Sequence, residues 1–319
     1  MNTLPVIAAV DGSDDSLRAL DWALEAAHGR GAPLRVVHVR EYGPWLRPET
    51  LTAVQPDRDT DQVLDLVRDR LGGLGEDAPV TEYLALDGAP AGLLPGLGSD
   101  AQLMVFGSRG RGGFASLLLG SNGTAAARDA ECPVVVVPRP GRETHDSELV
   151  TPGPRVVVGL HVDSPNNEAL AFAFAEAARR GARLQVAAVF PWPVQSGDLV
   201  PSPVVDEDAI ESETRALAAG FVAPHVERHP GVGVDLYVLP GDAAGQLVAA
   251  SRGADLVVVG RHRRRLLAPA RMMGSVTQAV LLHAASPVAV IPPEAAQRAG
   301  AAEAAEVAEV AEVAETAEG

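Results

Sequence analysis

The chain contains the same series of short apolar segments twice, in the same order, with partners about 150 residues apart. Five pairs of segments match: Val6–Val10 with Val156–Leu160, Leu34–Val39 with Leu184–Val189, Ala101–Gly107 with Ala254–Gly260, Gly120-Ser121 with Gly274-Ser275, and Cys132–Val137 with Ser286–Ile291. Chance would not preserve both the order and the spacing. The 319 residues therefore indicate an internal duplication, and each copy must form one version of the same fold.

Each repeat alternates short, β-branched apolar segments with helical patterns. This alternation predicts right-handed βαβ crossovers and a doubly wound parallel sheet whose strands are buried on both faces. We predict a first helix from Ser13-Asp14 to about His28, and a matching helix that begins at Ser164-Pro165. Gly88–Gly98 contains Pro95 and predicts only a short or broken helix.

The repeats set the predicted domain boundaries. We expect a first domain over residues 1–140, a linker rich in Pro and Gly over 141–154, and a second domain over 155–293. Residues 294–319 form an acidic low-complexity tail with Glu at every third position from Glu303 to Glu318. A helix repeats every 3.6 residues, so this spacing leaves no apolar stripe and predicts a frayed, solvated tail.

Charge and composition narrow the class of protein. The chain has 26 Lys and Arg against 42 Asp and Glu, a net charge of −16, which argues against general nucleic-acid binding. Its single cysteine, Cys132, excludes an intrachain disulfide. We see neither a signal peptide nor an apolar stretch of the roughly 20 residues that a membrane span needs. The sequence therefore predicts a cytoplasmic protein.

A glycine-rich loop follows the fourth predicted strand of the first repeat. Gly107, Gly110 and Gly120-Ser121 form the pattern G-x2-G-x9-G-S, and Gly120-Ser121 opens the next helix. Glycines let backbone N–H groups approach an anion closely, and a helix N-terminus adds unpaired donors. Arg109 and Arg111 lie in the loop and can pair with phosphate oxygens. The pattern predicts a phosphate cradle at the carboxyl end of the sheet.

Together with Asp11-Gly12-Ser13 after the first strand, this loop resembles the ATP-binding subclass of the universal stress protein family, over roughly Leu4–Pro292. The resemblance implies an α/β fold of two tandem Rossmann-like domains of the adenine nucleotide alpha hydrolase-like type, each with a five-stranded parallel sheet. It implies ATP as the ligand, with Mg²⁺ held through the phosphates. It also implies pairing through the fifth strands, as a pseudo-dimer within the chain, and leaves a homodimer open.

The resemblance also implies site residues. Asp11 would contact adenine or ribose, Val39 would line the adenine pocket, and Asn122 stands where the family usually has Val. The nucleotide contacts that it implies in the first repeat are Ala9, Asp11, Val39, Gly107, Arg109, Gly110, Arg111, Gly112, Gly113, Gly120, Ser121 and Asn122. Those in the second repeat are Gly260, Gly274, Ser275 and Val276.

The second repeat departs from this pattern. His161 stands where the carboxylate is expected, and Arg263 replaces the second glycine of the loop. We therefore predict one tightly bound ATP per chain, in the first repeat. The four arginines between Arg261 and Arg265 leave three readings open: a solvated basic loop, an altered anion site, or a contact for an acidic partner.

Several enzyme classes are disfavoured. A Walker A motif needs Gly-Lys-Ser or Gly-Lys-Thr, and neither loop contains Lys. A dinucleotide site needs G-x-G-x-x-G after the first strand, where this chain has Asp11-Gly12-Ser13. An adenylating enzyme would need a pyrophosphate loop at the same place.

No catalytic residue is predicted. The expected function is a nucleotide-dependent stress-response regulator, at most a slow ATPase; the alternative is a nucleotide-independent interaction or chaperone-like module, in which Asp11 is only a turn residue.

Overall fold

The computed structural model describes residues 3–41, 61–73, 75, 78–110, 119–142, 144, 149–190, 206–261 and 273–293. The chain divides into two compact units, Met1–Arg142 with Leu281–Ala289 and Glu143–Val280 with Val290–Gly319. Each unit is named for the repeat that forms its main part, and the elements of each repeat are given together. The predictions for Arg111–Gly113, for Arg263 and for the tail lie outside the described residues.

The first unit is a parallel sheet with its helices in the crossovers. Strand β1 pairs with β2 and β4, β2 pairs with β3, and β4 pairs with β5, all in parallel, which gives the order β3-β2-β1-β4-β5. Its elements are β1 (Val6–Ala9), α1 (Asp14–Arg30), β2 (Leu34–Arg40), α2 (Gln62–Leu71), β3 (Thr81–Asp87), α3 (Pro90–Leu93), a 3₁₀ helix (Leu94–Asp100), β4 (Leu103–Gly107), α4 (Ser121–Asp129) and β5 (Val134–Val137).

The second unit repeats this plan. Strand β6 pairs in parallel with β7 and β9, and β7 pairs in parallel with β8. At the end of the fifth strand, Ile291 accepts a 2.7 Å backbone hydrogen bond from Arg261, which directly follows β9. The elements are β6 (Arg155–Leu160), α5 (Asn167–Arg180), β7 (Arg183–Phe190), α6 (Glu207–Arg228), β8 (Val234–Pro240), α7 (Ala243–Ala250), β9 (Leu256–Gly260), α8 (Ser275–His283) and β10 (Val288–Ile291).

The first helix of each unit shows why the chain turns where it does. Ser13 caps α1 by accepting a hydrogen bond from the Ser16 N–H, and the acidic Asp14 and Asp15 occupy the first turn, where the helix dipole favours negative charge. The helix ends at Gly31 in the left-handed conformation, with φ of 57°. It thus continues two residues beyond the predicted His28.

The predicted fold class is confirmed: both units have the Rossmann-like alternation, with buried apolar strands at the centre. The broken helix predicted for Gly88–Gly98 is confirmed as the short α3 followed by the 3₁₀ segment.

The predicted start of α5 at Ser164-Pro165 is wrong. That helix begins at Asn167, because the Asn166 side chain caps it by accepting the Ala169 N–H at 2.9 Å. No helix within the described ranges is long and apolar enough to cross a membrane.

Candidate functional site

The site residues predicted from three strands of the first unit lie at one edge of the sheet. Ala9 ends β1, Gly107 ends β4, and Val39 is the penultimate residue of β2. Because β1 lies between β2 and β4 in parallel, these positions are neighbours at the carboxyl edge, where open α/β sheets bind ligands. Val39 is buried and Ala9 is half-buried, so both form part of the floor of this edge.

Asp11 follows β1 and has two roles. Its Oδ1 accepts hydrogen bonds from the Ser13 N–H at 3.0 Å and from the Ser13 hydroxyl at 2.6 Å, which closes the turn into α1. Its Oδ2 is directed to the loop, since a Cβ placed on Gly110 would lie 2.5 Å from that oxygen. Asp11 therefore performs the turn role and also lies directly beside the loop.

Gly107 is required by packing within the protein. A Cβ at this position would lie 2.5 Å from the backbone oxygen of Asp15 and 2.9 Å from the backbone nitrogen of Ser16. The first turn of α1 thus approaches the end of β4 too closely for any side chain. The first glycine of the pattern has a structural reason that involves no ligand.

Gly120 closes the loop from its other end. Its N–H donates to the Ser108 carbonyl at 2.7 Å, which brings the start of α4 against the end of β4. Gly120 is the N-cap of α4 and provides no side-chain cap, so the first-turn N–H groups, beginning at the exposed Ser121 and half-buried Asn122, have no capping side chain. The structure thus brings Asp11, Gly110 and this helix N-terminus together.

Arg109 adds positive charge beside the loop. It is half-buried, and its Nε is buried without a hydrogen-bond partner among the described residues. Burial first, and then the nearby positive charge of Arg109, lower the pKa of the Arg142 guanidinium from its ordinary value. Arg109 and Arg142 therefore lie close enough for their positive charges to interact. No group of three or more His, Cys, Asp or Glu in the described ranges could hold a metal ion.

The second unit has the corresponding edge with different contacts. A Cβ on Gly260 would lie 2.8 Å from the Asn166 side-chain nitrogen, so this glycine also serves the close approach of the first helix. The Thr277 hydroxyl of α8 donates to the Gly260 carbonyl at 2.9 Å. Gly274, Ser275 and Val276 lie at the start of α8, so the structure brings the four predicted residues of this unit to one place.

The sequence analysis missed one feature of the first unit, which is the buried carboxylate of Asp15. Asp15 is only 2% exposed and forms ion pairs with Arg18 and Arg139. The only available signal was an acidic residue in a first helical turn with Arg three or four residues later. That signal cannot separate Asp15 from its exposed neighbour Asp14.

Comparison with known proteins gives one consistent result. A family model described as the universal stress protein family matches residues 3–138 and again residues 154–292. A universal stress protein of Mycobacterium tuberculosis is 35% identical over 294 residues, which cover 89% of this chain and 96% of that protein.

Two solved structures add to this. The crystal structure of a putative universal stress protein from Pseudomonas aeruginosa covers 97% of this chain and 99% of its own, at a TM-score of 0.60 and 15% identity, and thus supports the fold. The universal stress protein from Archaeoglobus fulgidus in complex with dAMP is 26% identical, but it covers 44% of this chain and 98% of its own, at a TM-score of 0.31. At that score the similarity carries no argument about this chain.

Proposed function

This chain belongs to the universal stress protein family, and on that premise we propose that its first unit binds ATP and that the protein acts as a nucleotide-dependent stress-response regulator. The adenosine lies over the strand ends, with Ala9, Asp11 and Val39 as its contacts. The phosphates lie against the loop and the start of α4. The first-unit contacts proposed for them are Gly107, Arg109, Gly110, Arg111, Gly112, Gly113, Gly120, Ser121 and Asn122.

The observation that carries this proposal is the environment of Gly120. Its φ of −75° and ψ of 153° suit any residue, and a Cβ there would meet its nearest neighbour at an ordinary 3.6 Å. Packing among the described residues therefore does not require glycine at this position. An anion seated on the uncapped N-terminus of α4 would require it, because a methyl group at the cap would lie between the anion and the N–H donors.

Mg²⁺ fits this arrangement as a companion of the phosphates. It usually keeps several waters and takes phosphate oxygens together with one or two carboxylates. Asp11, whose Oδ2 lies beside Gly110, is an acidic side chain next to the loop. We expect any hydrolysis to be far slower than the roughly 10 per second of a median enzyme, since no side chain is assigned as general base.

Gly120→Ala tests the proposal with little expected strain in the fold, because the described residues leave room for the methyl group. Gly123→Ala is the matched control: it lies three residues after Gly120 in the first turn of α4, and its Cβ would meet Phe106 at 3.7 Å. Nucleotide-stripped wild type and Gly123→Ala should show a higher melting temperature with ATP and Mg²⁺, by an amount equivalent to about 2.7 kcal/mol at 100 times the dissociation constant. Gly120→Ala should lose most of that shift. Equal shifts in all three proteins would contradict the proposal.

The alternative is a nucleotide-independent interaction module. One observation favours it: Gly107 and Gly110 both have close contacts within the protein, so two of the three glycines of the pattern have a reason that involves no ligand. Absorbance and mass spectrometry of the supernatant from denatured, freshly purified protein separate the two functions. Co-purified adenine nucleotide supports the first, and the lack of both co-purified nucleotide and an ATP-induced melting shift supports the second.

A further inference from the structure

The Asp15 carboxylate joins three segments of the first unit. It lies in the first turn of α1 and accepts hydrogen bonds from the Arg139 Nε at 2.8 and 2.9 Å. The Ser108 hydroxyl, at the start of the loop, donates to it at 3.4 Å, and the Arg18 guanidinium pairs with it from the next turn of the helix. A carboxylate that is 2% exposed is held by such partners because burying an unpaired charge would be costly.

The same residue supports the loop through its backbone. Gly107 packs directly on the Asp15 carbonyl group, at a separation that admits no Cβ. The Ser108 N–H donates to the Val137 carbonyl at 3.0 Å, and the Ser108 carbonyl accepts the Gly120 N–H at 2.7 Å. Hydrogen bonds therefore run from Arg139, after β5, through Asp15 and Ser108 to Gly120, the cap of α4.

The second unit provides an internal comparison. Gly31 and Gly181, which follow the first helix of each unit, are 150 residues apart, and counting back from them aligns Pro165, two residues before α5 begins, with Asp15 of α1. Proline has no carboxylate, so this position of the second unit cannot accept the same hydrogen bonds. It is also the unit whose loop has Arg263 in place of the second glycine. The buried carboxylate thus accompanies the intact glycine pattern.

We propose that Asp15, Arg139 and Ser108 form a strut that positions the loop of the first unit for its ligand. The strut fixes Ser108 against α1 and thereby fixes the distance between Gly110 and the N-terminus of α4. A cradle held in place before binding loses less conformational entropy when the anion arrives. The proposal rests on the proposed nucleotide site for its purpose, but the rigidity itself can be measured without any nucleotide.

Hydrogen exchange of the ligand-free full chain tests the rigidity. Asp15→Asn should speed exchange of the Ser108 and Gly120 amides, which donate the hydrogen bonds on either side of the strut, more than that of the amides of β2. Asp14→Asn is the matched control, because Asp14 is the adjacent, exposed acid of the same turn. If the loop amides of Asp15→Asn exchange as in wild type, or if all strands lose protection equally, Asp15 has only a general structural role and the proposal fails.

Titration with ATP and Mg²⁺ tests whether the strut supports nucleotide binding. Asp15→Asn should weaken binding by between about two- and thirtyfold, the usual range for residues that act on a site through others. Arg139→Gln should behave likewise, Arg139→Lys should retain most of the affinity, and Asp14→Asn should match wild type.

If Asp15→Asn does not fold, the affinity of Arg139→Gln decides, since the Arg139 side chain is 50% exposed and its replacement should be tolerated. Unchanged affinity in Arg139→Gln would refute the positioning role. If wild type binds no ATP, the proposed function fails, and the exchange data still decide whether the strut exists.

Discussion

At Gly107 the backbone atoms of Asp15 and Ser16 leave no room for a Cβ, and at Gly110 a Cβ would lie 2.5 Å from the side-chain oxygen of Asp11. The sequence predicted both positions from the spacing of the loop. It could not predict the reasons, since the contacts with Asp15 and Asp11 join residues nearly 100 positions apart in the chain. His38 on β2 shows the same limit, because the strand pattern does not reveal that its Nδ1 pairs with Asp61 at 2.8 Å.

Gly110→Ala should destabilise the protein through Asp11. The added methyl group would lie 2.5 Å from Oδ2, so the carboxylate must shift and the Ser13 hydrogen bonds must distort. We expect a cost of about 1–3 kcal/mol in the free energy of unfolding, as for other overpacked sites. Denaturant unfolding of the single variant measures it.

The double variant Asp11→Ala/Gly110→Ala is the control for this mechanism. With the carboxylate removed, the methyl group has no close oxygen to meet, so Gly110→Ala should cost clearly less in the Asp11→Ala background than in wild type. Equal costs in both backgrounds would show that the Asp11 contact is not the cause.

At the scale of elements, the sequence signals for the start and end of a helix were reliable where one residue type dominated the local conformation. Pro95 and the glycines of Gly88–Gly98 predicted a broken helix, and the structure has one. The start of α5 was mispredicted because several capping residues compete within a few positions. Asn166 prevails because its side chain both caps the helix and fills the space above Gly260, a contact that no local pattern reveals.

The contact between α5 and α6 predicts a pH dependence of stability. His225 on α6 is 5% exposed and stacks on Phe174 of α5 with ring centroids 5.4 Å apart. Burial, and then the positive charges of Arg228 and His229, lower the pKa of His225 below its ordinary value of 6.5. The unfolded chain therefore takes up the proton more readily, so this stabilisation is complete above about pH 6.5 and is lost as the pH falls below it.

Melting temperatures at pH 8 and pH 5.5 test this. His225→Phe keeps an aromatic ring against Phe174 and removes the titrating group, so its melting temperature should fall less than that of wild type over this range. A difference on the order of 2–4 °C corresponds to about 1 kcal/mol in units of this size. His161→Gln, at an exposed position, should retain the wild-type dependence. If His225→Phe also retains the wild-type pH dependence of the melting temperature, His225 is not its cause.

At the scale of the whole molecule, the two units share a fold and differ at the site. The repeat made the fold predictable, because each half supplied the same strand pattern independently. The chemistry of the second site was less predictable from the sequence, because its arginines leave three readings open and the alignment of Pro165 with Asp15 gains meaning only from the contacts of Asp15. Pairing of the units through their fifth strands, and a homodimer, stay predictions of the resemblance.

The central claim is that one nucleotide binds per chain, in the first unit. Calorimetric titration of nucleotide-stripped protein with ATP and Mg²⁺ tests it most directly, with Gly120→Ala and its second-unit counterpart Gly274→Ala as the matched pair. Among the described residues, a Cβ on Gly274 would have its nearest neighbour at 4.0 Å, so we expect both variants to fold. We predict about one site per chain in wild type and in Gly274→Ala, and its loss in Gly120→Ala. Two equivalent sites, or full affinity in Gly120→Ala, would contradict the account.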